Sequence, residues 1–181
     1  MSSIGPLSPG TVIDDATVGT VAWSNPNNAK VSDGNYSIAL PAGGGISHYL
    51  KATNFGFSIP IGATINGILV EIEENYFTAG GTTTENAIKI VKSDGTIGTT
   101  NKSTGATFPT TDTYISYGSS SDLWGEMWDN TKINDVDFGV VLSVNSVSSY
   151  SNAAVDHIRI TVYYTEAPSI VSPFPSFFRS S

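Results

Sequence analysis

The strongest constraint on the fold is a regular alternation of apolar and polar side chains along several segments of the chain. The clearest case lies within residues 67–77, where Ile68, Val70 and Ile72 occupy every second position. Successive side chains of a β-strand point to opposite faces, so this spacing predicts a strand with one buried face. The same alternation recurs in residues 88–90, 138–145 and 157–164. These four segments therefore predict four strands.

Shorter β-prone runs and turn residues fill the chain between these strands. The runs cover residues 21–23, 36–40, 48–52, 56–59 and 114–117, and each is bounded by Gly, Pro, Asn, Asp or Ser. Asp94-Gly95 predicts a two-residue hairpin, and no long segment shows helical periodicity. The best helical candidate is a turn in residues 129–135, where Trp128 and Ile133 would cover one end of the core.

Strands in this number without intervening helices close a core only as a sandwich or a barrel. We predict an all-β fold, an antiparallel, jelly-roll-like β-sandwich of about eight or nine strands, with extended N- and C-terminal arms. The sandwich domain would cover residues 11–166. Residues 1–10, rich in Gly and Pro, would form the N-terminal arm, and residues 167–181 would form the C-terminal arm.

The C-terminal segment combines three prolines with several large apolar side chains. Prolines disfavour helix and central strand, whereas full burial of a phenylalanine side chain gains roughly 1.5–3 kcal/mol. The segment is therefore predicted to dock on protein, and its predicted contact residues are Ile170, Val171, Phe174, Phe177 and Phe178. Extended, it would reach roughly 50 Å, which favours a neighbouring subunit as the surface. Folding back on its own domain is the alternative.

Charge and cysteine content exclude several classes of function. The chain has 8 Lys and Arg against 16 Asp and Glu, a formal net charge of −8, so little is available to neutralise phosphates. We predict no nucleic-acid partner. The absence of Cys excludes disulfides, Cys-ligated zinc and thiol nucleophiles. The N-terminus lacks the pattern of a signal peptide and no apolar run approaches ~20 residues, which predicts cytoplasmic synthesis and no membrane partner.

The candidates for catalysis are two histidines and a group of carboxylates. His48 and His157 have no nucleophile motif such as Gly-x-Ser-x-Gly to pair with. Glu71, Glu73 and Glu74 could supply the two carboxylates that glycoside hydrolysis requires, but a solvated strand face explains them more simply. We predict no catalytic residues, no enzymatic activity and no cofactor.

Oxygen-bearing side chains gather in residues 129–137, which contain Asp129, Asn130, Asn134, Asp135 and Asp137. Such groups are the ligands that calcium prefers, but their spacing is not that of an EF-hand loop. Asp and Asn side chains also bind local backbone amides at turns. We assign no metal ligand, and calcium binding stays an alternative to turn capping.

The tryptophans raise a second functional possibility. Trp124 and Trp128 lie four residues apart and could present the flat aromatic surface on which a sugar ring stacks. The favoured alternative is that both plug one end of the sandwich. Carbohydrate binding through these residues is therefore the secondary hypothesis.

Three segments of the sequence resemble a group of β-sandwich domains in tailed-phage and prophage structural proteins. They are Trp23-Ser-Asn-Pro-Asn-Asn-Ala29 with Ser32-Asp-Gly-Asn-Tyr-Ser37; Tyr49-Leu-Lys-Ala-Thr-Asn-Phe-Gly-Phe-Ser-Ile-Pro60 with Gly62-Ala-Thr-Ile-Asn-Gly-Ile68; and Ser120-Ser-Asp-Leu-Trp-Gly125 with Asn134-Asp-Val-Asp-Phe-Gly-Val140 and Val155-Asp-His-Ile-Arg-Ile-Thr-Val-Tyr-Tyr164. Together they cover most of the predicted core but neither arm.

The resemblance implies a protein of the bacteriophage virion and carries over no active site. It implies a non-enzymatic structural subunit, a capsid decoration or cement protein or another repeated accessory, made in the host cytoplasm and released by lysis. Its implied partners are copies of itself, as a homo-oligomer, and other virion proteins such as the major capsid protein. Extended arms that contact neighbouring subunits would combine many weak contacts into one strong attachment.

Overall fold

Two antiparallel β-sheets packed face to face form the fold in the computed structural model, which describes residues 1–40, 45–77, 82–146 and 152–168. The strands are β1 Ser2–Leu7, β2 Thr11–Asp15, β3 Trp23–Ser24, β4 Ser37–Ala39, β5 Tyr49–Thr53, β6 Thr64–Asn75, β7 Thr83–Val91, β8 Thr113–Gly118, β9 Gly139–Ser146 and β10 Ala153–Thr165. A 3-10 turn, Pro26–Ala29, and the short helix α1, Asn130–Ile133, complete the assigned elements. No helix in these ranges is long and apolar enough to cross a bilayer.

The predicted all-β sandwich class is confirmed by the strand order. The first sheet runs β3-β4-β10-β6-β8, and the second runs β2-β5-β9-β7. Each named pair of strands is antiparallel. The four segments predicted from alternation form β6, β7, β9 and β10. Strands β6, β9 and β10 are central in their sheets, and β7 is an edge strand.

The core lies between the sheets and is built from the alternating apolar rows. The fully buried members are Ile68, Val70 and Ile72 on β6, Ile88 on β7, Val140, Leu142 and Val144 on β9, and Ile158, Ile160 and Val162 on β10. Register explains how the rows coincide, because Ile72 lies opposite Ile158 and Ile88 opposite Leu142. The outer face of the second sheet carries a smaller apolar cluster that includes Tyr49 and Val141.

The N-terminal residues are a strand rather than the predicted arm. Strand β1 pairs with β10 from Ser2, opposite Tyr164, to Leu7, opposite Ile160. Gly5 permits this close approach, because a Cβ at its φ of +122° would lie 2.6 Å from the carbonyl oxygen of Ile160. The Gly and Pro residues that suggested a free arm instead mark a register shift in β1, so the sandwich begins near Ser2.

Two smaller local predictions have different outcomes. The predicted helical turn is confirmed: Asp129 caps α1 by accepting the backbone N–H of Lys132 at 2.9 Å, and Ile133 is buried. The two-residue hairpin at Asp94-Gly95 is wrong in length, since the N–H of Lys92 bonds the carbonyl of Thr96 at 2.9 Å and three residues intervene. Gly95 has a φ of +76°, as in a type I turn followed by a bulge.

Deletion of residues 1–7 is expected to lower the free energy of unfolding by on the order of 3 kcal/mol. The deletion removes the pairing along β10 and the partly buried Ile4 and Leu7, which pack against the core. Chemical denaturation monitored by circular dichroism measures the change. Ser3→Ala, at an exposed position of the same strand, is the control and should change stability by less than about 0.5 kcal/mol. A deletion variant as stable as the full chain would show that β1 is dispensable.

Candidate functional site

Trp124 is part of the core and is not available for surface stacking. Its side chain is fully buried, and its indole N–H donates to the carbonyl of Ile68 at 3.0 Å. A buried ring offers no face to a sugar, so the prediction of sugar stacking is wrong for Trp124. The residue fills the interior of the sandwich, as the favoured alternative predicted. Trp23 is likewise buried, at 3% exposure, with its indole N–H bonded to the carbonyl of His48.

Trp128 has a different environment, at the wall of a cavity of about 210 Å³. The residue is half-buried, its indole N–H donates to the carbonyl of Leu123 at 2.9 Å, and its ring meets Phe138 edge to face at 5.2 Å. The cavity is lined by Lys92, Ser93, Asp94, Glu126, Met127, Trp128 and Lys132. The turn after β7, the segment before α1 and α1 itself therefore converge around one partly exposed aromatic ring.

Two charged side chains of this cavity are held by local hydrogen bonds. The side-chain hydroxyl and the backbone N–H of Thr96 donate to Asp94 at 2.6 and 3.0 Å, which lowers the pKa of that carboxyl. Asp94 is therefore ionised at neutral pH. Lys132 donates from Nζ to the carbonyl of Met127 at 2.8 Å, which brings its ammonium group against the segment carrying Glu126. The cavity thus has one carboxylate, that of Asp94, and one ammonium group, that of Lys132, in fixed positions.

A polar network covers part of the outer face of the first sheet. Arg159 on β10 donates from Nε and Nη2 to the two carboxylate oxygens of Glu71 on β6, each at 2.9 Å. The guanidinium carbon lies 3.8 Å from the ring centroid of Tyr114 on β8. The hydrogen bonds to Glu71 raise the pKa of Arg159. The Glu71 carboxylate is therefore engaged in cross-strand pairing and does not stand free as a catalytic acid.

His157 lies in the same network and is buried, although it belongs to the outer face of the sheet. Its Nε2 lies 2.9 Å from Oγ of Ser8, and its Nδ1 lies 2.7 Å from the hydroxyl of Tyr114. Burial lowers the pKa of His157, against the opposing charge of Glu73. The contact resembles the first two members of a serine–histidine triad, but the third position holds a phenol where a triad has a carboxylate. The sequence carried no signal for it, since Ser8 and His157 are 149 residues apart.

The second histidine, His48, joins the two sheets at one edge. Its Nδ1 lies 2.8 Å from Oδ2 of Asp14 on β2, and the other oxygen of Asp14 accepts the backbone N–H of Trp23 on β3 at 2.8 Å. Strand β2 belongs to the second sheet and β3 to the first. This pair therefore links the sheets, which gives His48 a structural task.

Two carboxylates do converge in this protein, but they do so inside the core. The hydroxyl of Tyr117 lies 2.8 Å from Glu74 on β6 and 2.8 Å from Glu85 on β7. Glu74 is 1% exposed and Glu85 is 4% exposed. Both are thus closed to solvent, and the expectation that Glu73 and Glu74 face solvent is wrong. Tyr117 on β8 thus brings together Glu74 from the first sheet and Glu85 from the second.

Burial changes the protonation of Glu74. Burial, together with the charge of Glu85, raises the pKa of Glu74 to about 8, although its bond with Tyr117 works in the opposite direction. Glu74 is therefore mostly protonated at neutral pH. The second oxygen of Glu85 accepts the backbone N–H of Thr104 at 2.9 Å. The protonated Glu74 carboxyl is neutral, which lowers the cost of burying two acids around one phenol.

The acidic segment before β9 is used in turns. Asp129 caps α1, and Asp135 accepts the backbone N–H of Asp137 at 2.9 Å. Asn134 holds the neighbouring loop by accepting the N–H of Ile59 at 2.7 Å and donating to its carbonyl at 3.0 Å. Within the four described ranges, no group of three or more His, Cys, Asp or Glu is arranged to hold a metal ion. Asp129, Asp135 and Asn134 therefore bind local backbone groups, as the turn-capping alternative predicted.

One end of the sandwich exposes apolar side chains where the chain runs towards its C-terminus. Ile61 is 89% exposed, Met1 77% and Val136 63%. Asn134 bonds both backbone groups of Ile59, which brings the segment before Val136 to the segment before Ile61. Ser2 and Ile65 both lie opposite Tyr164, so Met1 is at the same end of the sandwich. A Cβ at Gly62 would lie 3.3 Å from Cβ of Ala167. We call Met1, Ile61 and Val136 the apolar end. The predicted contact residues Ile170, Val171, Phe174, Phe177 and Phe178 follow Ala167 and lie outside the described residues.

Comparisons with known proteins give only distant structural likenesses. No protein-family model and no curated protein matches the sequence. The xylan-binding CBM22-1 domain of Paenibacillus barcinonensis Xyn10C is 8% identical over 84% of each chain, with a TM-score of 0.40. The N-terminal cellulose-binding domain of Cellulomonas fimi β-1,4-glucanase C is 10% identical over 93% of this chain and 96% of that one, with a TM-score of 0.34.

A phage protein is also among the similar structures. The enzymatically active domain of bacteriophage CBA120 tailspike protein 4 is 11% identical over 83% of this chain but only 19% of the tailspike chain, with a TM-score of 0.34. At these identities and scores, the likenesses support no inference about what this chain binds or assembles with.

Glu74→Gln is expected to flatten the pH dependence of stability. The folded pKa of Glu74, about 8, lies above its ordinary value of 4.5, so the folded state binds the proton more tightly. The contribution of Glu74 to the free energy of unfolding is complete below the ordinary pKa and is lost as the pH rises through the folded pKa. Between the two pKa values the free energy of unfolding falls by up to ~1.4 kcal/mol per pH unit. Urea denaturation at intervals from acidic to mildly alkaline pH measures the slope.

Gln keeps a neutral hydrogen-bonding group at position 74 and should remove this slope. Glu166→Gln, at an exposed carboxylate, is the matched control and should leave the slope as it is. A wild-type protein whose stability is constant across that pH window would contradict the raised pKa of Glu74 in the folded state.

Proposed function

We propose that this chain is a non-enzymatic structural subunit of a bacteriophage virion, either a capsid decoration protein or another repeated accessory. The observation that carries the proposal is the apolar end. Full burial of a side chain such as Ile61 would gain roughly 1.5–3 kcal/mol, which favours contact with another protein. The proposed partners are other copies of the chain and virion proteins such as the major capsid protein, on a particle assembled after synthesis in the host cytoplasm.

The position of the C-terminal segment supports the same proposal. Ala167 passes beside Gly62, next to the exposed Ile61. Residues 169–181 follow Pro168 directly in the sequence, and a fully extended segment of that length would span about 45 Å. That reach is enough for Phe174, Phe177 and Phe178 to contact a neighbouring subunit, and repeated contacts of this kind add through effective concentration.

The clusters of polar side chains around Tyr117 and His157 favour a structural role over catalysis. The converging acids Glu74 and Glu85 are held inside the core by Tyr117. His157 is bonded on both ring nitrogens, and its partners come from the connection after β1 and from β8. In each case the chemically capable groups bind one another and join separate strands.

Truncation after Pro168 is expected to abolish self-association or binding to the particle while leaving the melting temperature unchanged. Light scattering with size-exclusion chromatography measures the mass in solution, and sedimentation with particles measures attachment. The full-length control replaces Phe174, Phe177 and Phe178 with Ala and should behave as the truncation does. Unchanged association in both variants would overturn the role of the segment.

Ile61→Ser is expected to weaken the same association about ten- to a hundredfold, which corresponds to the loss of one buried aliphatic side chain. Because Ile61 is almost fully exposed in the isolated chain, its folding stability should not change. Leu40→Ser is the control, since Leu40 is 64% exposed and follows β4, away from the apolar end. Equal effects of the two variants would contradict a specific role for the apolar end.

Carbohydrate binding is a second candidate function, and the cavity beside Trp128 is the observation that favours it. An aromatic residue in a cavity that polar side chains also line is an arrangement suited to a sugar. Retention of the wild-type protein on immobilised host-cell polysaccharide tests this function, and passage without retardation would argue against it.

A further inference from the structure

We infer that the cavity beside Trp128 is a binding subsite for a single uncharged sugar ring, such as a hexose or an N-acetylhexosamine unit. The inference rests on carbohydrate binding, the second candidate function, and is independent of assembly through the apolar end. It assigns the subsite to the junction of the β7 turn, the segment at Glu126 and Met127, and α1.

The aromatic wall of the subsite is fixed before any ligand arrives. The bond from the indole N–H of Trp128 to the carbonyl of Leu123 sets one edge of the ring, and Phe138 supports it edge to face. Phe138 is itself fully buried in the core. A ring held in this way loses little conformational freedom on binding, so its contact with the apolar C–H face of a sugar is gained at low entropic cost.

The polar lining matches the hydroxyl groups of a sugar. Carboxylates of Asp94 and Glu126 accept hydrogen bonds, whereas the ammonium groups of Lys92 and Lys132 donate them. A sugar hydroxyl both donates and accepts, so it can use both kinds of partner. Thr96 holds the Asp94 carboxylate in place through two hydrogen bonds, which fixes one acceptor in the lining.

The balance of charge determines the class of sugar. Two carboxylates oppose two ammonium groups in the lining, so the cavity has no net charge with which to attract a phosphate, a uronic acid or a cation. An uncharged ligand avoids the repulsion that either sign of charge would meet. The subsite is therefore assigned to neutral sugars.

The size of the cavity limits the ligand to one ring. Its volume of about 210 Å³ lies below the range of about 300–1,000 Å³ typical of sites for drug-sized molecules. Met127, which is 86% exposed, lies at its rim, so the rest of a glycan can continue into solvent. The geometry fits a chain end or a branch, and weak binding by each copy would add up across a repeated assembly.

The test is titration of the full-length protein with small sugars, followed by isotope-edited NMR. The probes are methyl α-D-glucopyranoside, methyl β-D-galactopyranoside and N-acetylglucosamine, with glucuronate and inorganic phosphate as charged comparators. At least one neutral sugar is expected to bind and to shift the indole N–H resonance of Trp128 while leaving that of the buried Trp124 unchanged. Trp128→Ala should weaken this binding at least tenfold.

Two further variants separate loss of binding from loss of folding, because Trp128 also packs against Phe138. Asp94→Asn keeps an oxygen that can accept from Thr96 but removes the charge, and it should weaken binding severalfold with an unchanged melting temperature. Phe77→Ala is the matched aromatic control, since Phe77 is 50% exposed and follows β6 at the opposite end of the sandwich. Its affinity for sugar should equal that of the wild type.

The outcomes distinguish the subsite from the function on which it rests. Sugar binding that persists in Trp128→Ala and Asp94→Asn would overturn this subsite and leave carbohydrate binding standing. Tighter binding of glucuronate or phosphate than of every neutral sugar would overturn the assignment to uncharged ligands. Binding of none of the probes, together with no retention on host polysaccharide, would remove both the subsite and the function.

Discussion

The pairing of β10 with its neighbours is the interaction on which the rest of the structure depends. One edge of β10 pairs with β6 over most of its length, while β4 and β1 share the other edge. Three separate parts of the chain thereby become one sheet, whose inner face buries a continuous row of Ile and Val against β7 and β9. The outer network of Glu71, Arg159 and His157 exists only because the same register sets these residues side by side.

The interior acids show how the fold accommodates groups that an apolar core would otherwise exclude. Glu74 and Glu85 arrive from different sheets and meet at Tyr117, where one proton and one phenol satisfy them. Such a site stabilises only while the proton is present. It also explains why convergence of two carboxylates is poor evidence for catalysis unless solvent and substrate can reach them.

Both proposed interaction surfaces lie where strands end. The cavity beside Trp128 is formed by connections between strands, and the apolar end is formed by such connections together with Met1. A rigid sandwich can carry an assembly contact and a ligand subsite on different loops. The two proposed functions therefore need not compete for the same residues.

The sequence alone determined the all-β class, because a period of two in apolar side chains can bury one face only as a strand. It also predicted the turn capped by Asp129, since that signal is local. Only the tertiary structure decided that residues 2–7 complete a sheet, that Trp124 is buried while Trp128 borders a cavity, and that Ser8 reaches His157. The physical reason is that side-chain period reports which residues share a face, whereas strand order and register decide what that face meets, and these depend on contacts between residues far apart in the chain.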